Sequence, residues 1–262
     1  ISRLLNLFFK LGVAGLCQGK CLPPDEVQTR VGGGGARKRA VATVYSGGDD
    51  LFVVGAYDDV AELAFDIRRA FRKFVGENPH VTLSAGVAVF PPKFPIHLMA
   101  EMAGEAQEEA KSYERPGNGR TKDAVSLFHN LILTPPEGRR HPDLRVHPWL
   151  ETRTFGWEEA EDLLQMAHLV ASAFGSEEDG RLALEIPRRT LFKVLEMGRF
   201  YEEEGKLYLP HAAWLAARTR PPQGAEEAWR KFRDWLLDWR NARFLRAFAT
   251  WLILLTGGGE RE

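Results

Sequence analysis

Gly47-Gly48-Asp49-Asp50 lies between Val41-Ala42-Thr43-Val44-Tyr45 and Leu51-Phe52-Val53-Val54, and this stretch narrows the fold more than any other. The flanks are β-branched and aromatic, so they predict two strands joined by a tight glycine turn. Two adjacent carboxylates then stand at the tip of a stiff hairpin. Hard oxygen ligands of this kind suit Mg²⁺ or Mn²⁺ held against nucleotide phosphates. The plainer alternative is a pair of solvated charges ending a hairpin, and four residues alone do not separate the two.

The chain has 262 residues, enough for one large or two ordinary domains, with 44% hydrophobic and 27% charged residues, as in a folded globular protein. Lys plus Arg (35) almost cancels Asp plus Glu (36), so any RNA contact must rest on local basic patches. Cys17 and Cys21 cannot complete a tetrahedral zinc site by themselves and read as incidental. Leu4, Leu5, Phe8, Phe9 and Leu11 recur on one helical face that Ser2 can cap. Asn6 and Lys10 interrupt that apolar run, and the chain begins at Ile1. The reading is therefore an amphipathic helix, not a signal peptide, in a chain that has lost its true beginning. Phe244 to Leu255 is strongly apolar but about half a bilayer span and contains Arg246, which predicts a buried helix and no membrane anchor.

Residues 12–39 lack periodicity and contain Pro23-Pro24, Gly32 to Gly35 and a basic end at Arg37-Lys38-Arg39, predicting a long, mobile connection. After the hairpin, Val60, Leu63, Ala64, Ile67, Phe71 and Phe74 take helical spacing, with Asp58 or Asp59 as N-cap and Gly76 as the stop. Arg68, Arg69, Arg72 and Lys73 fill the other face, which reads as solvated before it reads as an RNA surface. Val81 to Phe90 predicts a strand, and Gly86 within it marks a close approach of backbone or ligand. A helix from Ile96 to about Tyr113, a loop from Arg115 to Lys122 and a strand from Ala124 to Phe128 complete this part.

The order helix, hairpin, helix, strand, helix, strand is that of a ferredoxin-like palm lacking its first strand. The predicted fold class is thus α+β: this palm over residues 1–134, a proline-marked linker at 135–150, and an all-α domain over 151–262. Helices are predicted at about Gly156–Phe174, Pro187–Glu204, Pro210–Arg218 and Ala225–Thr256. The last carries Trp229, Trp235, Trp239 and Trp251, a stripe that reads as core or subunit interface. Arg230, Arg233, Arg240, Arg243 and Arg246 raise an RNA contact, although Glu226, Glu227, Asp234 and Asp238 can absorb several of them.

Nucleotidyl transfer requires carboxylates held close together for metal, with the 3′-hydroxyl attacking an α-phosphate. Asp49 and Asp50 qualify if a turn spares them from strict strand alternation, and Gly47 and Gly48 allow close approach to the backbone. Lys111 and Lys122 are candidates for a triphosphate, and Ser84 for a base edge.

These residues resemble a known family. Ser2-Arg3-Leu4 through Phe8-Phe9, then Val44 to Gly55 around the Gly-Gly-Asp-Asp turn, look like the second palm domain of the large (Cas-ten) subunit of type III CRISPR effectors. Ser84-Ala85-Gly86, Ala110-Lys111 and Lys122 to Phe128 continue the likeness in order. The helical remainder resembles that subunit's C-terminal domain, most like the Csm (subtype III-A) branch. The resemblance implies ATP conversion to cyclic oligoadenylates when the complex binds target RNA. Asp49 and Asp50 would then be metal-associated acids, with Gly47 and Gly48 shaping the turn. Lys111 would lie near triphosphate and Ser84 near adenine. It also implies Mg²⁺ or Mn²⁺, other Csm subunits and CRISPR RNA as partners, and a cytoplasmic location. The family's HD nuclease domain, first palm domain and a further metal-binding aspartate on the missing strand are expected upstream. Two alternatives stay open: a GGDEF-like diguanylate cyclase, though Leu51-Phe52 follows Asp50 in place of Glu-Phe, and a non-catalytic scaffold of the same effector.

Overall fold

The computed structural model describes residues 2–20, 28–31, 36–114, 122–129, 153–178, 181–205, 209–219 and 221–255. Two compact units emerge: residues 1–30, 34–131 and 150–160 form one, and 31–33, 132–149 and 161–262 the other. The predicted linker at 135–150 and most of the 115–122 loop lie outside the described residues.

The first unit opens with a continuous helical stretch made of α1 (Ser2–Leu7), a π-helical turn at Phe8–Gly12 and α2 (Val13–Cys17). Phe8, Phe9, Val13 and Leu16 are buried, while Leu4 and Leu11 are exposed. The single apolar face expected for these residues is therefore split, because a π turn adds a residue and rotates the helix beyond it. The hairpin comes next, β1 (Val41–Gly47) and β2 (Asp50–Gly55), and then α3 (Tyr57–Phe74), whose stop at Gly76 takes φ +64°. Beyond it lie β3 (Ala85–Ala88), α4 (Ile96–Ser112), β4 (Ala124–His129) and β5 (Arg153–Gly156).

One core of this unit joins Phe8, Phe9, Val13, Leu16 and Cys17 to Leu63, Ile67, Ala70 and Phe71 of α3, with Leu51 and Val53 of the hairpin against it. Burial pushes the Cys17 thiol up, against the pull of the Arg39 charge. The palm order is present, with its sheet in two pieces. β1 pairs antiparallel with β2, while β3 runs parallel to β4, which pairs antiparallel with β5. Helix α3 packs against both β2 and β3. The strand expected over Val81–Phe90 is shorter because the Leu83 carbonyl accepts from the Trp157 indole (2.7 Å) and not from a ladder. Gly86 is explained by helix packing: a Cβ there would lie 2.5 Å from Gln107 N and 2.8 Å from Ala103 O.

Helix α5 (Trp157–Phe174) has its first turn in this unit and continues into the second. The second unit then has a hairpin, β6 (Gly175–Glu178) and β7 (Arg181–Leu184), followed by α6 (Arg188–Glu204) and α7 (Leu209–Arg218). It ends with α8 (Glu226–Leu237), a 3₁₀ turn at Trp239–Phe244 and α9 (Leu245–Leu255). Residues 151–262 are therefore mainly, not wholly, helical. Strands of four residues carry too little alternation to be read in advance.

The single helix expected over 225–256 breaks at Asp238, which is extended (φ −80°, ψ 113°) and accepts from Arg240 N at 3.0 Å. Phe232 stacks on Phe248 (5.4 Å) between Trp229 and Trp235, which are half-buried, and Trp251 is buried, so the tryptophan stripe is only partly core. Trp239 is 66% exposed. Of the arginines, Arg233 pairs with Asp234, Arg240 with Asp238, and Arg246 is buried. Among the described residues no helix is long and apolar enough to cross a membrane.

Candidate active site

Pairing fixes the hairpin tip. Val41, Ala42 and Thr43 face Gly55, Val54 and Val53, whereas Tyr45, Ser46 and Gly47 face Phe52, Leu51 and Asp50. Val44 is the extra residue of a β-bulge, and the shift it causes leaves a two-residue turn, Gly48-Asp49, closed by Gly47 and Asp50. Gly48 has φ +65° and Asp49 is not among the positive-φ residues, the pattern of a type II′ turn. Asp49 thus belongs to a turn and Asp50 to the first position of a strand, so strict alternation does not force the two carboxylates apart. Both are exposed, and neither side chain has an ion pair or hydrogen bond among the described residues. A Cβ at Gly48 would meet nothing within 4 Å, while one at Gly47 would lie 2.9 Å from the Tyr45 hydroxyl. Gly48 is therefore needed for its backbone angle, and the space above it is open.

The base of the hairpin is built in the opposite way. Arg39, two residues ahead of β1, is 1% exposed and lies among three carboxylates of α3. Its Nη1 donates to Glu62 (3.2 Å) and Asp59 (3.5 Å), and its Nη2 to Asp66 and to the Thr29 carbonyl (2.9 Å). Ala40 N donates to Asp59 Oδ2 at 2.7 Å, and Thr29 N to Asp66 Oδ1 at 2.9 Å. Asp59, Glu62 and Asp66 stand at i, i+3 and i+7, one face of a helix. Two expectations change here. The described part of the 12–39 connection is pinned, since Gln28 exchanges hydrogen bonds with Arg37 and Arg39 is locked in. Neither Asp58 nor Asp59 caps α3; the N-cap is Ala56 without a side-chain bond. The basic face of α3 is also largely absorbed, as Arg68 pairs with Asp123, Arg69 with Asp66 and Arg72 with Glu77.

The remaining sequence candidates occupy two places. Ser84 Oγ accepts from Asp123 N at 3.2 Å, which brings Ser84 beside Lys122. Lys122 is exposed with φ +74°. Lys111, in the last turn of α4, pairs with Glu108 at 2.8 Å on an exposed surface. Among the described residues no hydrogen bond or ion pair joins these three to the hairpin tip, and no group of three or more His, Cys, Asp or Glu could hold a metal ion. Two carboxylates on a fixed turn still fit Mg²⁺, which commonly takes one or two carboxylates and completes its shell with waters and substrate phosphates.

Residues 1–124 match the family described as Cas10/Cmr2, second palm domain. Over these residues the chain is similar to that domain. It is similar to the CRISPR system single-strand-specific deoxyribonuclease Cas10/Csm1 (subtype III-A) of Mycobacterium tuberculosis, 29% identical over 240 residues, 91% of this chain and 24% of that protein. The protein of the same name from Methanocaldococcus jannaschii is 49% identical over 97 residues, 35% of this chain and 12% of that protein. The chain spans about a quarter of the length of the first curated relatives it matches.

A Csm1–Csm4 cassette in complex with cA4 shares the fold, with TM-score 0.64 and 23% identity over 97% of this chain and 32% of that one. A Csm1–Csm4 cassette in complex with one ATP has TM-score 0.58 and 25% identity over 95% and 32%. Sequence reasoning about the palm missed the Arg39 socket. Its one available signal was the i, i+3, i+7 spacing of Asp59, Glu62 and Asp66 on α3.

Proposed function

We propose that this chain forms the second palm and adjoining helical part of the large subunit of a type III-A RNA-guided effector. In this reading its Gly47–Asp50 hairpin joins ATP molecules into cyclic oligoadenylates when the complex binds target RNA. One observation carries it: Asp49 on the two-residue turn and Asp50 at the first strand position beside it stand exposed without a competing cation among the described residues. Supporting it, a solved Csm1–Csm4 cassette at 25% identity is in complex with one ATP and another with AMPPNP.

Asp49 and Asp50 would hold Mg²⁺ or Mn²⁺, which when bound neutralises phosphate charge and favours the attacking alkoxide. The open face at Gly48 admits a phosphate close to the backbone. Lys111 and Lys122 act as point charges toward the triphosphate. Ser84 Oγ accepts from Asp123 N, and its own O–H stays available to donate to an adenine nitrogen. Other Csm subunits, CRISPR RNA and target RNA are the partners, in the cytoplasm.

The test uses an assembled type III-A complex whose large subunit contains this sequence. Asp49→Ala with Asp50→Ala lowers oligoadenylate synthesis about 100-fold or more, the scale expected when metal-site residues are removed, while target-RNA affinity is kept. Undiminished synthesis by the double variant overturns the assignment. Product from GTP and none from ATP would instead favour the diguanylate cyclase reading.

A further inference from the structure

Lys122 and Asp123, immediately ahead of β4, take φ +74° and +60° in succession. Aspartate tolerates the left-handed region, but lysine has no local hydrogen bond to offset its Cβ clash. Consecutive residues of this kind persist only where the surroundings over-determine them, and such places cluster at functional sites.

The surroundings here form a closed ring. Asp123 N donates to Ser84 Oγ (3.2 Å), and Asp123 Oδ2 accepts from Arg68 Nη2 (3.0 Å). Arg68 is 8% exposed, and its guanidinium carbon lies 5.9 Å from the centre of the Trp157 ring. The Trp157 indole donates to the carbonyl of Leu83, the neighbour of Ser84 (2.7 Å). Burial lowers the pKa of Arg68, and the Asp123 charge opposes that shift. Among the described residues two further guanidinium nitrogens, Nε and Nη1, have no hydrogen-bond partner. Asp123 is thus the main compensation for a buried cation, and the coupling between the two is correspondingly strong. Three separate segments converge on a turn whose first residue contributes nothing to the ring: Lys122 is exposed and makes no hydrogen bond or ion pair among the described residues.

We infer that Arg68 and Asp123 are positioning residues, a buried clamp that holds Lys122 in a left-handed turn and presents its ammonium to the triphosphate of ATP. The clamp rests on the ATP reading above. It adds two residues that do not touch nucleotide and gives Ser84 a second task, since the hydroxyl that faces the base edge also anchors the turn.

Two measurements on the assembled complex separate the clamp from the reaction itself: ATP affinity by calorimetry with Mg²⁺, and product formation. Lys122→Met weakens ATP binding about tenfold, the loss of one charge-assisted contact. Asp123→Ala and Arg68→Met weaken it by a similar factor without touching ATP. Asp123→Asn, which tolerates the left-handed turn and keeps a side-chain oxygen able to accept from Arg68, gives a smaller loss and serves as the folding control. The deciding result is the double variant Lys122→Met with Asp123→Ala, which binds no worse than Lys122→Met alone.

Additive losses overturn the clamp, as does unchanged affinity in Lys122→Met. ATP that does not bind the unaltered complex overturns both readings. Tight binding with the non-additive pattern but no product sinks the oligoadenylate reaction and leaves the clamp standing.

Discussion

The two ends of one hairpin treat acidic residues in opposite ways. At the base, Asp59, Glu62 and Asp66 are almost fully buried and shared among Arg39, Ala40 N and Thr29. At the tip, Asp49 and Asp50 face solvent without such partners among the described residues. In composition the base is the richer metal-binding candidate, with three carboxylates on one helix face. Buried charges must be matched, however, and a guanidinium already occupies the place a cation would take. Carboxylates remain available to a metal only where they are left unmatched, and that condition holds at the tip.

The largest effect on stability is expected at the base. Arg39→Met leaves three carboxylates short of their central cation and costs about 3–5 kcal/mol, read from the urea midpoint of the purified protein. An unchanged midpoint would show that Arg30 and Arg37, which also approach Asp59 at 3.4 and 3.6 Å, close the socket without it. Next come the glycines, which differ in cause. A Cβ at Gly55 would strike Ala40 O and lie 2.7 Å from Val41 Cα, both rigid backbone, so Gly55→Ala costs about 1–3 kcal/mol. Gly48→Ala meets no atom and costs only the φ penalty, about 1–2 kcal/mol.

If Gly48→Ala proves the worse of the two in the same urea series, the tip is packed more tightly than its open surroundings indicate. The smallest change belongs to Asp49→Ala with Asp50→Ala. Its midpoint stays within about 0.5 kcal/mol per site even as synthesis of oligoadenylate is lost. A large stability loss in that variant would mean that the tip, like the base, is structural.

Much of this arrangement was legible beforehand. Helix α3 declared itself through Leu63, Ile67 and Phe71 at a 3.6-residue period, and the hairpin through β-branched flanks around two glycines. The bulge at Val44 was not legible, because an added strand residue leaves the local composition unchanged. Arg39 reads as the basic end of a mobile connection because its partners lie 20 to 27 residues further along, beyond the reach of any local pattern around it. Ser84 reads as a ligand candidate from its place beside Gly86, and its oxygen accepts from a residue 39 positions away that no local pattern connects to it. The break at Asp238 was hidden inside a run of good helix formers that an aspartate cap interrupts.

The amino-acid order settled what depends on near neighbours: strand against helix, the glycine turn, and the placement of two carboxylates at its tip. These arise from backbone sterics and side-chain periodicity within a few residues. Folding in three dimensions decided which charges are spent and which are free. Asp59 and Asp49 are the same side chain in sequence, and only burial beside Arg39 makes one a structural partner and leaves the other open to a metal. Desolvation and pairing of charge are properties of surroundings that residues far apart in the chain create together.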